Sequence, residues 1–584
     1  MKLRDAIDRI PERLDPPVFG ALFLAALFLR IAAINGPPLS EKEAVEAWGA
    51  LHLLHGQAAT SSSALFSSLT AGVLFLAGPS HWGPRLFPAL AGALAVFLPL
   101  LLRDGRGRLE TFLVGIFLAF SPSLWIASTM AGGTTLGFLA AGFCILYLRP
   151  PKKQPLPSGL ALGAAFASGP VGWSGLALAA IVLLVDWFLR ISNTTDADVK
   201  EPIPLKAPFE EFLHSRVALA GLLIGLVAGS TGLFFFPRGL GALATGFTSW
   251  VTAFFSGWPR IGETLLLLVG YEPLALVFGA VGLYLVWKGL LAEEDRFWGL
   301  FAAAAAVWVL LRAAAFPDET LWILLPLLIL GARVARKALE SPILEERPVF
   351  VAMQAGGVIA LAVFALFNLA AFHQGGSWPH LFLALLGLAA GLVFGALFTE
   401  NWRRDWRQSF TGLALAWGVL FLAAQAGAGW NGAYARRTSA DELWQTDTVA
   451  DDILRLHGTL EQISGWQTGV KDELTVVVLV PQESALGWEL LTFGAADYAT
   501  EVDMLGTPAM LIAPYQEWEG AVVAPQLTVV YRGQAFGVYE RRAWSGWPPD
   551  LIGWLLYREG PVERAKLILW VRSDILAPDA EGAE

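Results

Sequence analysis

Residues 18–48 read VFGALFLAALFLRIAAINGPPLSEKEAVEAW. A helix that crosses a bilayer needs about 20 mostly apolar residues. The run that ends near Ile34 supplies them before Asn35-Gly36-Pro37-Pro38 stops it. Ser40 and Glu43 then have the spacing of a capping box, which predicts a helix start. Glu41, Glu43 and Glu46 alternate with the apolar Val45, Trp48, Leu51, Leu53 and Leu54, a pattern suited to a short helix lying at the membrane surface. The chain therefore leaves the membrane and stays beside it.

Outward from this stretch, the remaining sequence repeats the apolar theme. Of the 584 residues, 55% are hydrophobic and 15% are charged, with a mean hydropathy of +0.56. Soluble chains carry about 25% charged residues. This excludes collagen-like, disordered, coiled-coil and nucleic-acid-binding classes and points to a polytopic α-helical membrane protein. The single cysteine, Cys144, excludes a disulfide framework and a cysteine metal cluster. Apolar runs cover about 17–35, 84–102, 110–127, 132–148, 171–189, 216–236, 264–287, 297–313, 319–335, 349–370, 378–398 and 408–427, with a shorter one at 158–169. Counted together they predict about 13 transmembrane helices.

Basic residues orient that count. Arg103, Arg106 and Arg108; Arg149, Lys152 and Lys153; Arg333, Arg336 and Lys337; and Arg403, Arg404 and Arg407 fall in alternate loops. With Lys2, Arg4, Arg9 and Arg13 they place the N-terminus in the cytoplasm. Residues 62–79 are apolar, but a span there would invert the Arg103–Arg108 loop, so they are read as packed against the bundle. No cleavable signal peptide is expected, because span 1 runs on into the membrane domain. The resulting division is a cytoplasmic segment 1–16, a membrane domain 17–428 with a first outer loop 36–83, and an extracytoplasmic α/β domain 429–584.

The last domain has its own composition. From Asp441 onward there are 23 acidic and 9 basic residues, a balance of -14, whereas the preceding part carries +4. A helix over 445–462, short strands at Leu474–Val480, Ala509–Ile512, Val522–Val530 and Lys566–Val571, and helical or turn material at Leu551–Tyr557 are expected. The negative balance disfavours acidic polymers as partners.

Candidate chemistry gathers near the outer loops. Gly239 and Gly241 lack the strand and Lys-Ser/Thr context of a phosphate loop. Gly132-Gly133, Gly356-Gly357 and Gly387–Gly395 suit close helix packing. Glu41 and Glu43 are candidate catalytic carboxylates, able to act as base or to help hold a divalent metal, although the same acids also suit a helix start. His81 and Arg85 mark the return to the membrane, and Arg85 suits either a phosphate or interfacial snorkelling. Arg238, Arg260 and Glu263 lie in an aromatic-rich stretch with Trp250, Phe254 and Trp258, a composition shared by lipid-phosphate sites and aromatic belts. His52 and His55 read as interfacial, and Asp318 and Glu319 as a solvated turn.

Three stretches carry a family resemblance. Pro38-Leu-Ser-Glu-Lys-Glu-Ala44 resembles a Pro-Leu-Asp-Glu-x-Glu-Ala motif, and Pro84-Arg-Leu-Phe-Pro-Ala-Leu-Ala-Gly92 and Leu118-Ala-Phe-Ser-Pro122 resemble later signatures of the same group. Together with the long first loop they resemble the GT-C glycosyltransferase superfamily, in its dolichyl-phosphate-mannose mannosyltransferase and aminoarabinose transferase-like branch, over about residues 15–430. The resemblance implies a GT-C-like bundle with a C-terminal outward-facing domain. It also implies transfer of a sugar from a polyprenyl-phosphate donor to a glycan, lipid or protein acceptor at the outer membrane face, with no nucleotide and no certain cofactor. Ser40 stands where the family carries Asp, and Ala127–Gly133 lacks a further acid. These departures keep a non-catalytic glycolipid-binding or scaffold protein open, while a transporter would call for repeats that the sequence does not show.

Overall fold

The computed structural model describes residues 15–32, 34–103, 107–147, 154–192, 215–397, 411–445, 447–499, 507–518, 521–522 and 529–576. Most of the basic residues used for orientation (Lys2, Arg4, Arg9, Arg13, Arg106, Arg149, Lys152, Lys153, Arg403, Arg404 and Arg407) lie outside the described residues, as does the acidic tail Pro578–Glu584. Arg103 and Arg108 are described, and both pair with Asp15 at the start of the first helix.

The protein is a polytopic α-helical membrane protein with a C-terminal sheet domain, but the expected 13 transmembrane helices are not found among the described residues. Among the described residues, five helices are long and apolar enough to cross: Gly83–Leu102, Pro170–Arg190, Pro348–Gly375, Trp378–Gly395 and Thr411–Ala435. Counting two bent pairs as one span each raises the number to seven. The run at 110–127 breaks where Ser121 and Pro122 start a new helix, with a 50° bend. The run at 264–287 breaks before Pro273, with a 102° bend. Runs 132–148, 158–169 and 216–236 hold helices of 14, 13 and 16 residues. At 1.5 Å per residue these reach about 20–24 Å, short of a core about 30 Å thick. Charges enter two further helices, Glu293–Leu311 at its start and Leu321–Leu339 at its end. Apolar content registers in a hydropathy count, whereas breaks and helix ends do not.

Small residues bring these helices together. A Cβ on Gly163 of the helix Pro155–Ala167 would lie 2.3 Å from the Leu222 carbonyl oxygen of the helix Arg216–Thr231. A Cβ on Gly357 would meet Phe394 at 2.2 Å. The helix Ala64–Ala77 packs on the same bundle, where Ser68 Oγ donates to the Gly229 carbonyl at 2.6 Å.

Strands close the chain. A six-stranded mixed sheet runs β1(Asp447–Val449), β7(Tyr531–Arg542), β8(Val562–Arg572), β4(Met510–Pro514), β2(Val476–Val478), β3(Ala496–Tyr498) in spatial order. Among the described residues only β2 pairs in parallel, with β3 and with β4. β5(Glu517–Trp518) and β6(Ala521–Val522) form a separate pair. Most of the expected strand 522–530 lies outside the described residues; Val522 ends β6, and the long β7 begins at Tyr531. The expected first helix lies later in the chain, at Asp452–Thr468, while Leu551–Tyr557 is helical.

The core of this domain extends into the first loop. Leu39, Ala44, Ala47, Trp48, Ala50 and Leu51 share one buried cluster with Val449, Ile453, Leu456, Val476, Leu486, Trp488 and Leu569. The helix Glu41–Leu54 is thus a wall of two compartments at once.

Candidate functional site

Successive residues of a helix point about 100° apart, so Glu41, Glu43 and Glu46 leave the helix Glu41–Leu54 in three directions. Ser40 starts that helix, and both halves of the expected capping box are present. Glu41 turns to the C-terminal domain, where the Ala485 amide donates to its Oε1 at 3.3 Å.

Glu43 turns inward and is buried. Its Oε1 accepts from Arg85 Nε at 2.8 Å, the Ala131 amide at 2.9 Å and Arg437 Nη2 at 3.1 Å. Its Oε2 accepts from Arg85 Nη2 at 2.9 Å and the Ser40 amide at 3.0 Å. Arg85 spends its other donors on the carbonyls of Ile34, Pro37 and Pro38 at 3.2, 2.8 and 2.9 Å. Proline offers only an acceptor, so the diproline turn wraps the guanidinium. Arg437 also donates to the Thr129 carbonyl. Burial alone would push the Glu43 carboxyl up, but Arg85 and Arg437 outweigh it and hold it far below the usual carboxylate range. The Arg437 guanidinium is drawn down to about 9 by burial and by Arg85.

Glu46 turns the third way, to a cavity of about 320 Å³. Lys42, one turn earlier on the same helix face, lines it too, with Asp318, Glu319 and Arg312 opposite. Ser62, Thr134, Ser168, Ser249, Thr252 and Ser256 and the small Gly132 and Gly133 complete much of the wall. Lys42 Nζ pairs with Asp318 Oδ2 at 2.5 Å. Arg312 pairs with Glu319, whose two oxygens also accept from Ser174 Oγ at 2.7 Å and Trp308 Nε1 at 2.8 Å. The guanidinium lies 4.8 Å from the Phe254 ring centre and 5.3 Å from that of Trp250. Glu46 Oε1 accepts from Ser62 Oγ at 2.7 Å and the Ser62 amide at 3.3 Å. Its Oε2 is buried with no hydrogen-bond partner among the described residues. Burial pushes the Glu46 carboxyl up, against the pull of Ser62 and Lys42.

The remaining sequence candidates do not gather at this cavity. His81 Nε2 pairs with the buried Glu489 Oε1 of the C-terminal domain at 2.8 Å. Glu263 lies between Arg260 at 3.4 Å and Arg542 of β7 at 3.8 Å. Arg238 is exposed on the turn Pro237–Leu240. Glu41, His81 and Glu263 therefore share a seam between the membrane helices and the C-terminal domain. That seam also holds His52 with Glu483 at 3.8 Å, Trp48 Nε1 donating to the Ser484 carbonyl at 3.2 Å, and His373 with Asp550 at 2.7 Å. Glu41 and Glu43 face apart and do not converge on one ion. Among the described residues, no group of three or more His, Cys, Asp or Glu is placed to hold a metal.

Sequence reasoning noted Glu46 only as a helix acid and read Asp318 and Glu319 as solvated; it gave no role to Lys42, Arg312 or Arg437. The i,i+4 spacing of Lys42 and Glu46 was the available signal for one cavity wall. Arg437 left none, since its partner lies 394 residues away.

No family model matches the sequence, and no curated protein matches it at a significant level. Solved structures do. ArnT from Cupriavidus metallidurans bound to undecaprenyl phosphate matches with a TM-score of 0.53 at 14% identity, over 96% of this chain and 99% of that one. The chain shares the fold of ArnT. ArnT from the same organism in the apo state matches with a TM-score of 0.50 at 16% identity, over 85% of this chain and 92% of that one. At these identities the likeness to ArnT is one of fold: a membrane-embedded helical region joined to a distinct C-terminal domain.

Proposed function

We propose that the protein is a glycosyltransferase of the cell membrane that moves a sugar from a polyprenyl-phosphate-linked donor to an acceptor at the outer face. The observation that carries this reading is the cavity against the first-loop helix, lined by serine, threonine and acidic residues, set in a fold shared with ArnT, whose structure holds undecaprenyl phosphate. Hydroxyls and carboxylates are the groups that hydrogen-bond a polyhydroxyl sugar. A neighbouring lysine and arginine supply positive charge where a lipid phosphate would depart. The donor carries its own activation in the phosphate–sugar bond, so no nucleotide is needed. In this reading the N-terminus is cytoplasmic, and the first loop and the C-terminal domain face outward.

Ser40 favours a second reading, a glycolipid-binding protein without turnover. Its Oγ accepts from the Glu43 amide at 3.3 Å and caps the helix, so no carboxylate occupies that position. Purified protein in lipid nanodiscs, incubated with radiolabelled polyprenyl-phosphate sugars and candidate acceptors, separates the two. Transfer supports the enzyme, and saturable binding without transfer supports the second reading. Neither transfer nor binding with any donor rejects both.

A further inference from the structure

We infer that the C-terminal domain rests on the bilayer surface through residues 543–557, whose exposed apolar side chains enter the boundary between lipid headgroups and acyl chains. This surface lies apart from the cavity and does not depend on the transferase reading. Composition sets the segment apart. From Asp441 onward there are 23 acidic and 9 basic residues, yet AWSGWPPDLIGWLLY carries one charge, Asp550, and three tryptophans. Gly553 and Trp554 of the helix Leu551–Tyr557 turn inward and are buried. Trp547, Leu551 and Leu555 are 54%, 40% and 37% exposed. Leu551 and Leu555, four residues apart, share one face of that helix. The membrane interface favours tryptophan and leucine in such a pattern, whereas water does not.

Contacts with a spanning helix set the depth of this face. The helix Pro348–Gly375 has 28 residues. That is about 42 Å at 1.5 Å per residue, against a hydrocarbon core about 30 Å thick. Centred in the bilayer, it extends roughly four residues beyond the core at each end, so His373 and Gln374 stand in the headgroup layer. His373 Nε2 pairs with Asp550 Oδ2 at 2.7 Å, and Gln374 Nε2 donates to the Tyr557 hydroxyl at 3.3 Å. Those two contacts tie both ends of the helix Leu551–Tyr557 to that layer. Asp550 also caps the helix, its Oδ1 accepting from the Gly553 amide at 2.9 Å. Trp378, exposed at the start of the next span with its ring 6.1 Å from that of Phe372, marks the same level. On the bundle side, the Gly546 carbonyl oxygen would lie 2.9 Å from a Cβ on Gly262, next to the exposed Ile261. The apolar face is thus continuous with the ends of the membrane helices, which makes lipid its occupant.

Spin labels read the depth directly. Trp547→Cys and Leu555→Cys, each in the full chain with Cys144→Ala, are labelled and placed in phosphatidylcholine nanodiscs. Collisions with oxygen, which partitions into lipid, are compared with collisions with a water-soluble nickel complex. Phe367→Cys, exposed on the span Pro348–Gly375, gives the lipid reference. Lys471→Cys, at an exposed side chain of the C-terminal domain, gives the water reference. Both test positions are expected to show an oxygen-to-nickel ratio severalfold above that of Lys471→Cys, with the labels about 5–10 Å into the boundary. Ratios equal to the water reference at both positions overturn the inference. Shielding from both reagents with spin–spin broadening also overturns it, because a second copy of the chain then covers the face. Trp547 and Leu555 are both exposed, so neither replacement empties a core; should one variant fold poorly, the other decides.

Discussion

Glu43 and Glu46 lie three residues apart on one short helix, and their surroundings make them opposites. Glu43 is saturated, and its carboxylate offsets two buried guanidinium groups. Removing one partner of such a cluster leaves uncompensated charge and costs about 3–5 kcal/mol. Glu43→Ala is therefore expected to lower the thermal midpoint sharply, read by intrinsic tryptophan fluorescence in detergent, and to do so with or without donor. The pH dependence follows with opposite signs. Glu43 has a depressed folded pKa, so its stabilisation is present above the usual carboxylate range and lost only as pH falls far below it. Glu46 has a raised pKa because of burial. It ionises only above that raised value, so as pH falls it takes up its proton before an exposed glutamate does. Infrared difference spectra of wild-type and Glu46→Gln protein across pH check the direction, and a carboxyl midpoint at or below the ordinary 4.5 rejects it. Sequence alone showed the acids and the capping box. It did not show which way each acid faced, since Glu43 is held by Arg85 and Arg437, 42 and 394 residues away, and Glu46 by Ser62 across a turn of the chain.

At the scale of elements, helix breaks decide what hydropathy misses. Glu272 lies at one break, before Pro273, and its Oε1 accepts from Ser121 Oγ at 2.6 Å and the Ser123 amide at 2.9 Å at the other break. Its Oε2 accepts from Gln425 Nε2 of the helix Thr411–Trp430 at 2.9 Å. Two interruptions that read as continuous apolar runs are thus tied together by one buried acid. Where helices are short, glycine holds them. Gly163→Val would place a branched side chain against backbone of the neighbouring helix, whose nearest atom is 2.3 Å from an added Cβ. The expected result is separation of the helices Pro155–Ala167 and Arg216–Thr231, seen as loss of a monodisperse peak in size-exclusion chromatography. Strands were legible where β-branched runs marked them, as in β2 and β8. They were not legible in β7, whose Arg532, Gly533 and Gln534 are exposed and polar. There the pairing with β8, rather than composition, makes the strand.

At the scale of the molecule, the first-loop helix connects the membrane bundle, the cavity and the C-terminal domain. Trp48 illustrates the coupling. It is buried in the core shared with Ile453, Leu456 and Trp488, and its ring stands edge-on to Trp488 at 6.0 Å. Lys42 and Glu46 project to the cavity from the same helix. Truncating a buried tryptophan costs about 3–5 kcal/mol, and here that loss falls on the seam rather than on the bundle. Trp48→Ala is expected to speed proteolytic release of the C-terminal domain while the membrane helices stay intact. It is also expected to lower kcat although Trp48 lines no part of the cavity, because the wall bearing Glu46 is then held on one side only. Faster release with unchanged kcat would mean that Glu43, clamped by Arg85 and Arg437, positions the helix without help from the sheet domain. In that case the C-terminal domain would serve a purpose separate from the cavity, and its excess of acidic residues would be the place to look for it.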